Sequence, residues 1–429
     1  MVRGIVIGLF MVLVNPVGLF AWDSVGSATE MDTHKMIAEQ AVIILQNDLS
    51  GTADQALADN LQILYDNLYD LKRGAVWPDF NPDEYDLYQD HFYDPDTGLN
   101  FTNGGVPETA ETQTRLYVAT AIHKWKNGDY SGAAFELGTA MHFFADLNEP
   151  HHASNQTGGE LTAHTEFEQW VGSVKGSYEF TSSGYSTDAS YYTDTIDNYT
   201  FVTDFLASKS YECAKFAKNM VGQAQMSSSW ADWEYVAENT LAKAQKSMAQ
   251  LFYRFLYEVA NTELPASADA IGKFHVMFKV ADEWEAGTDD HVYYGMELAD
   301  GRTVEYECDL PGNDFSRNLR WAYEFNITDP TFKAVDVKKV WIKKYDFTWL
   351  GDDLKLDYMQ VYMKGKNVVD QNINQWLGTG GTWGSNVYYN INVDGLNYAD
   401  EENDVVCREV CHEETVGCDT VTVCETVCE

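Results

Sequence analysis

Residues 132–147 read GAAFELGTAMHFFADL. Apolar residues dominate the stretch, and their density predicts a buried helix. Its single histidine and its single aspartate, His142 and Asp146, stand four residues apart, so a helix presents them on one face about a turn apart. Residues 164–168, HTEFE, repeat the offset with His164 and Glu168. Imidazole and carboxylate at that spacing can grip one transition metal, most naturally zinc. Two such pairs stand close together, with His34, Asp79 and His91 upstream and His152 between them. That set suggests a site for more than one metal ion.

Helical patterning extends outward from this stretch. Residues 33–49 (THKMIAEQAVIILQNDL), 53–73, 111–127 and 232–262 carry apolar residues at helical spacing. Loops rich in Gly, Asn, Asp and Pro are expected at 78–104, which holds Asp79 and His91, and at 148–160, which holds His152. Beyond a linker the pattern changes to alternating stretches: KFHVMFKV, HVYYGMEL, VEYECDL, AYEFNI, KVWIKK, MQVYMKG and NVYYNINV. These predict an antiparallel sandwich of seven to eight strands. The fold class is therefore α + β multidomain, an all-α N-terminal domain followed by an antiparallel β-sandwich. The expected boundaries are 22–262 for the helical domain, 263–270 for the linker, 271–398 for the sandwich and 399–429 for an acidic, Cys-rich tail.

Residues 1–21 have a short basic start and then an uncharged run, and they read as a secretory signal peptide. The protein is expected to be secreted. Cleavage after Ala21 would make Trp22 the mature N-terminus, whose amine and carbonyl could chelate a metal. The net charge is −39, from 67 acidic and 28 basic residues. That charge disfavours nucleic acid and strongly anionic membranes as partners. Only Cys213 and Cys308 lie before the tail, so the body is not a disulfide scaffold. Cys407, Cys411, Cys418, Cys424 and Cys428 fall in the tail. They could form local disulfides, pair with another chain or bind metal.

The order and spacing of these residues resemble the zinc-dependent phospholipase C family of secreted bacterial enzymes, above all its two-domain members of the clostridial alpha-toxin type. The carrying motifs are the Trp22-Asp23 start, THKMIAEQ with His34, WPDF with Asp79 and YDLYQDHFYDPDT with His91. They continue through AMHFFADLNEPHH with His142, Asp146 and His152, and HTEFE with His164 and Glu168. The likeness runs on through SWADWEYVAENTLAKAQKSMAQLFYRFL to EAGTDDHVYYG, PGNDF and NINQW, covering residues 22–378.

The resemblance implies three zinc ions. Asp79, His91, His142 and Asp146 would surround the first, His152, His164 and Glu168 the second, and Trp22, His34 and the bridging Asp146 the third. His151 adjoins His152, and the motif favours His152 as the ligand. Asp79 would also orient or deprotonate the attacking water. Grouped divalent ions suit phosphodiester hydrolysis, because they supply charge that an acidic protein lacks. The implied reaction converts phosphatidylcholine, or sphingomyelin, into diacylglycerol, or ceramide, and phosphocholine. A choline headgroup wants an aromatic face, and Phe80 and Tyr88 are the candidates. His123, His151, His275, His291 and His412 are read as structural or surface residues.

The second domain resembles the lipid-associating PLAT sandwich. Family calcium positions fall on Glu285, Gly287, Thr288, Asp289, Asn313, Asp314, Asp352 and Asp353. Glu285 and Asp353 depart from the family's residues but still offer oxygens. Trp349 and Leu350 are candidates for insertion into a bilayer interface. Phospholipid membranes with choline headgroups are the expected partner, and the chain is expected to be a monomer. Haemolytic or toxic activity would follow from that chemistry. Two other classes compete: a zinc-dependent single-strand nuclease, disfavoured by the charge, and a calcium-dependent membrane-binding protein with an inactive zinc site.

Overall fold

The computed structural model describes Trp22 and residues 30–52, 54–80, 88–104, 108–158, 163–196, 200–260, 270–309, 315–345, 353–378 and 385–396, with the backbone alone of 407–416 and 419–428. The chain divides into two units, Met1–Ala260 and Asn261–Glu429. The first contains α1 (Thr33–Asp48), α2 (Gln55–Asp66), α3 (Leu68–Gly74), α4 (Trp77–Phe80), α5 (Ala110–Lys126) and α6 (Tyr130–Asp146). It continues with α7 (His164–Val174), α8 (Ser190–Thr193), α9 (Leu206–Lys218) and α10 (Trp230–Ala260).

Local chemistry starts these helices. Asp32 accepts from the Lys35 N–H at 2.8 Å and caps α1 just ahead of His34. Asp129 caps α6 through the Gly132 N–H at 2.9 Å. Thr109 and Thr112 form a reciprocal capping box at the head of α5. The 31-residue α10 is the spine of the unit, with Val236, Leu241, Met248, Leu251, Phe252 and Phe255 wholly buried. At about 1.5 Å per residue it runs roughly 46 Å.

The stretch 53–73 is not one helix, because the chain breaks at Asn67 between α2 and α3. The Asn67 side-chain amide donates to the Ile63 carbonyl at 2.8 Å and ends the first helix. The segment 78–104 is not wholly loop. Asp79 lies in the single turn of α4, and His91 closes a 3₁₀ turn, Tyr88–His91.

Helices α3 and α6 cross at backbone contact. A Cβ on Gly74 would sit 2.0 Å from the Phe135 carbonyl oxygen, and one on Gly138 would sit 2.0 Å from that of Leu71. Only glycine at both positions permits the approach.

The second unit contains two four-stranded antiparallel sheets, with the order β4-β1-β6-β7 in one and β3-β2-β5-β8 in the other. The strands are β1 (Gly272–Val280), β2 (His291–Leu298), β3 (Thr303–Glu307), β4 (Arg320–Ile327), β5 (Val337–Tyr345), β6 (Leu354–Met363), β7 (Lys366–Leu377) and β8 (Asn386–Asn392). Phe274, Val276, Phe278, Tyr294, Met296, Val340, Ile342 and Met359 share its buried core. Strand β7 was not among the alternating stretches, since Asn and Gln fill its sequence, yet Val369, Ile373 and Leu377 turn inward. In the tail, β9 (Cys407–Val416) and β10 (Asp419–Cys428) pair as a hairpin.

Candidate metal centre

The last turn of α6 places His142 and Asp146 in the interior, each fully buried. The close crossing of α3 and α6 puts the Ala75 carbonyl within 2.9 Å of His142 Nδ1. A carbonyl only accepts, so Nδ1 carries the proton and Nε2 keeps its lone pair. That Nε2 lies 3.0 Å from His91 Nδ1 and 3.6 Å from Asp79 Oδ1. Asp146 reaches both ways: Oδ1 is 3.2 Å from His34 Nε2 and Oδ2 is 2.9 Å from His91 Nδ1. The His34 and His142 rings stack at 4.1 Å.

The 3₁₀ turn after α6, His152–Ser154, and the first turn of α7 build a neighbouring cluster. His152 Nδ1 donates to the His91 carbonyl at 2.8 Å, which turns Nε2 toward the cluster. That Nε2 lies 3.3 Å from Glu168 Oε1, and His164 Nε2 lies 3.0 Å from the same oxygen. Trp22 is fully buried, with its indole N–H donating to the Ala145 carbonyl at 3.1 Å and its main-chain nitrogen 3.0 Å from Glu168 Oε1.

Among the described residues, donor atoms gather into three groups, within 4.8 Å of one another in each: Asp79, His91 and His142; His34, His142 and Asp146; and Glu149, His152, His164 and Glu168. The nitrogen and carboxylate donors, with no thiolate, suit zinc. The electrostatics match a cation site. Burial opposes the charge on Asp146, yet His142, His152 and the contacts from His34 and His91 hold it well below the usual carboxylate range. Burial likewise opposes charge on His152, but Asp146, Glu168 and Glu149 push it up to about 10. Glu168, against its own burial, is drawn down to about 2 by His164 and His152. His142 falls well below the imidazole range, chiefly through burial and then through His34 beside it. The pocket thus wants positive charge at its carboxylates, and its imidazoles stand as the donors that a metal would meet.

A model of the family described as "Zinc dependent phospholipase C" matches residues 33–220, and one described as "PLAT/LH2 domain" matches 274–383. The phospholipase C of Clostridium perfringens is 38% identical over 376 residues, spanning 85% of this chain and 93% of that relative. That of Clostridium haemolyticum is 38% identical over 372 residues, spanning 85% and 92%. The solved alpha toxin of Clostridium absonum superposes with a TM-score of 0.59 at 38% identity, covering 86% of this chain and 100% of that one. The chain belongs to the zinc-dependent phospholipase C family. It is a phospholipase C of the clostridial alpha-toxin type, with a helical domain followed by a PLAT domain.

Within this phospholipase C, Phe80 is exposed beside Asp79. Tyr88 is half-buried, packs its ring on Phe92 at 5.1 Å, and has its phenol raised to about 12, mainly by burial. His151, read as structural, is buried with Nδ1 at 2.8 Å from Glu149 Oε1. Glu149 is the residue that spacing did not reveal. It precedes His152 by three residues across Pro150, outside any helix, where no periodicity points to it.

In the PLAT unit, Glu285 adopts a left-handed φ of 63° in the loop before β2, and Gly287 packs where a Cβ would meet the Phe315 carbonyl at 2.6 Å. The Thr288 N–H donates to the same carbonyl at 2.9 Å. Glu285 and Asp289 are exposed, and Asp353 is half-buried ahead of β6. Among the described residues, no three acidic groups of this unit gather as the donors of the helical unit do. Asn313, Asp314, Asp352, Trp349 and Leu350 lie outside the described residues, as does the segment read as a signal peptide. The same loop presents Trp284 at 78% exposure, an aromatic that motif spacing had not singled out. Among the described residues, no helix is long and apolar enough to cross a membrane.

Proposed function

We propose that this phospholipase C is exported, trimmed to Trp22, and hydrolyses phosphatidylcholine, or sphingomyelin, at membrane surfaces, acting as a monomer. The observation that carries this reading is the sharing of His142 and Asp146 between donor groups in one buried cluster. Asp79, His91, His142 and Asp146 would hold one zinc; His152, His164 and Glu168 a second; Trp22, His34 and Asp146 a third. When bound, the ions supply Lewis-acid charge and activate water at neutral pH.

The side chains do the rest. Asp79 Oδ1, close to His142 and His91, is placed to take the proton from the attacking water. Water adds to phosphorus, the bond from phosphorus to the glycerol oxygen breaks, and the proton taken by Asp79 passes to that oxygen as diacylglycerol leaves. From sphingomyelin the leaving alcohol is ceramide. Phe80 offers an exposed aromatic face for the trimethylammonium group. Tyr88, packed on Phe92, would offer a second aromatic face.

The PLAT unit would dock the enzyme. Calcium held by Glu285, Gly287, Thr288, Asp289, Asn313, Asp314, Asp352 and Asp353 would offset repulsion between acidic loops and bridge them to lipid phosphate. Trp349, Leu350 and the exposed Trp284 would enter the interface, and haemolysis would follow from hydrolysis there. The deciding experiment incubates vesicles of each lipid with the enzyme and identifies the products, with and without a zinc chelator. Diacylglycerol or ceramide with phosphocholine, lost on chelation, supports the reading. Release of phosphatidic acid or of free fatty acid would overturn it.

A further inference from the structure

The donor sets read from the motifs give the His152 site three protein ligands, and Glu149 makes a fourth. Its donor atom lies within 4.8 Å of those of His152, His164 and Glu168, and the side chain is completely buried. A wholly buried carboxylate without a counter-charge is expensive. Glu149 accepts from the His152 N–H at 2.7 Å on one oxygen and faces His151 Nδ1 at 2.8 Å with the other. Each oxygen uses one lone pair there, and a carboxylate offers about four acceptor positions.

We propose that Glu149 is a protein ligand of this cluster, so that Glu149, His152, His164 and Glu168 close a four-coordinate zinc. The inference rests on the three-zinc reading above. Two carboxylates with two neutral imidazoles balance one divalent ion. Four protein donors also complete the tetrahedral shell typical of structural zinc, whereas catalytic zinc keeps a position open. The groups joined by His142 and Asp146 then hold less negative charge per ion, and they retain the open positions that an anionic phosphodiester needs. Glu149 would thereby fasten the turn after α6 to the first turn of α7 through the His152 site.

Zinc content under titration with a competing chelator tests this on wild type, Glu149→Gln and Glu149→Ala. Three zincs are expected in wild type, with one of them held at least about 100-fold more weakly in both variants and two unchanged. The metal-free variants should melt at or above metal-free wild type, because a buried charge is gone. Unchanged affinity for all three zincs, with lower metal-free stability, would show that Glu149 merely braces His151 and His152 and would overturn the proposal. A second measurement needs no variant. Metal-free wild type given one equivalent of cobalt should show the intense visible band of a four-coordinate ion, and a weak band would count against closure. Wild type that binds no zinc at all would instead overturn the parent reading.

Discussion

The main-chain nitrogen of Trp22 lies 3.0 Å from Glu168 Oε1, one of the carboxylate oxygens of the donor cluster. In an uncleaved chain that nitrogen is an amide, which donates to a carboxylate and has no comparable lone pair for a metal. A free α-amine at the same point, with a pKa of about 8, has one once neutral. Extending the mature start by Gly or Met should therefore cost about one zinc per molecule and reduce turnover. Metal analysis of extended and authentic proteins checks it, and equal zinc with equal turnover removes Trp22 from the ligand set.

Asp79 sits at the edge of its group, 3.6 Å from His142 Nε2 and 4.0 Å from His91 Nδ1. Replacing a general base lowers rates by about 10²–10⁴-fold. Asp79→Asn should fall in that range while losing less zinc than His142→Ala, which breaks two donor groups together. Near-normal turnover in the Asn variant would dismiss the proton-accepting role.

Chelation should abolish hydrolysis and also soften the helical unit. Asp146, Glu149 and Glu168 are buried and face the cluster, and they lose their counter-charge with the metal. A ligand at about 1,000 times its Kd stabilises the folded state by about 4 kcal/mol. The expected result is a lower melting temperature in chelator, restored with activity by added zinc. An unchanged melting temperature on verified loss of metal would contradict this account of the site.

Trp284 is the most exposed large apolar side chain among the described residues. It shares a loop with Glu285, Gly287, Thr288 and Asp289. Burying an apolar side chain contributes roughly 1.5–3 kcal/mol, so Trp284→Ala should weaken vesicle binding by about ten-fold or more in calcium. Hydrolysis of a water-soluble phosphocholine ester should stay near wild type. A matching loss on the soluble ester would mean that Trp284 acts through the catalytic unit instead.

Residues whose role follows a period were legible before the structure. His142 with Asp146, and His164 with Glu168, are pairs that a helix must display together, and the strands of the sandwich alternate plainly. What escaped lacks a period. Asn67 splits a helical stretch through one side-chain hydrogen bond. Strand β7 hides its inward Val369, Ile373 and Leu377 among amides that pattern matching reads as loop. Glu149 joins its cluster across Pro150, where a tight turn and not a helix sets direction. Trp284 owes its exposure to loop geometry that no local composition announces.

Gly74 and Gly138 hold no metal, yet they decide whether His142 can. Their missing side chains let α3 and α6 touch, and the Ala75 carbonyl that orients the imidazole arrives with α3. A chain could keep all nine candidate ligands and still lose the site through one methyl group at either glycine. An inventory of ligands is thus an incomplete warrant for activity in a distant relative. The two positions worth inspecting first are ones that no coordination chemistry would flag.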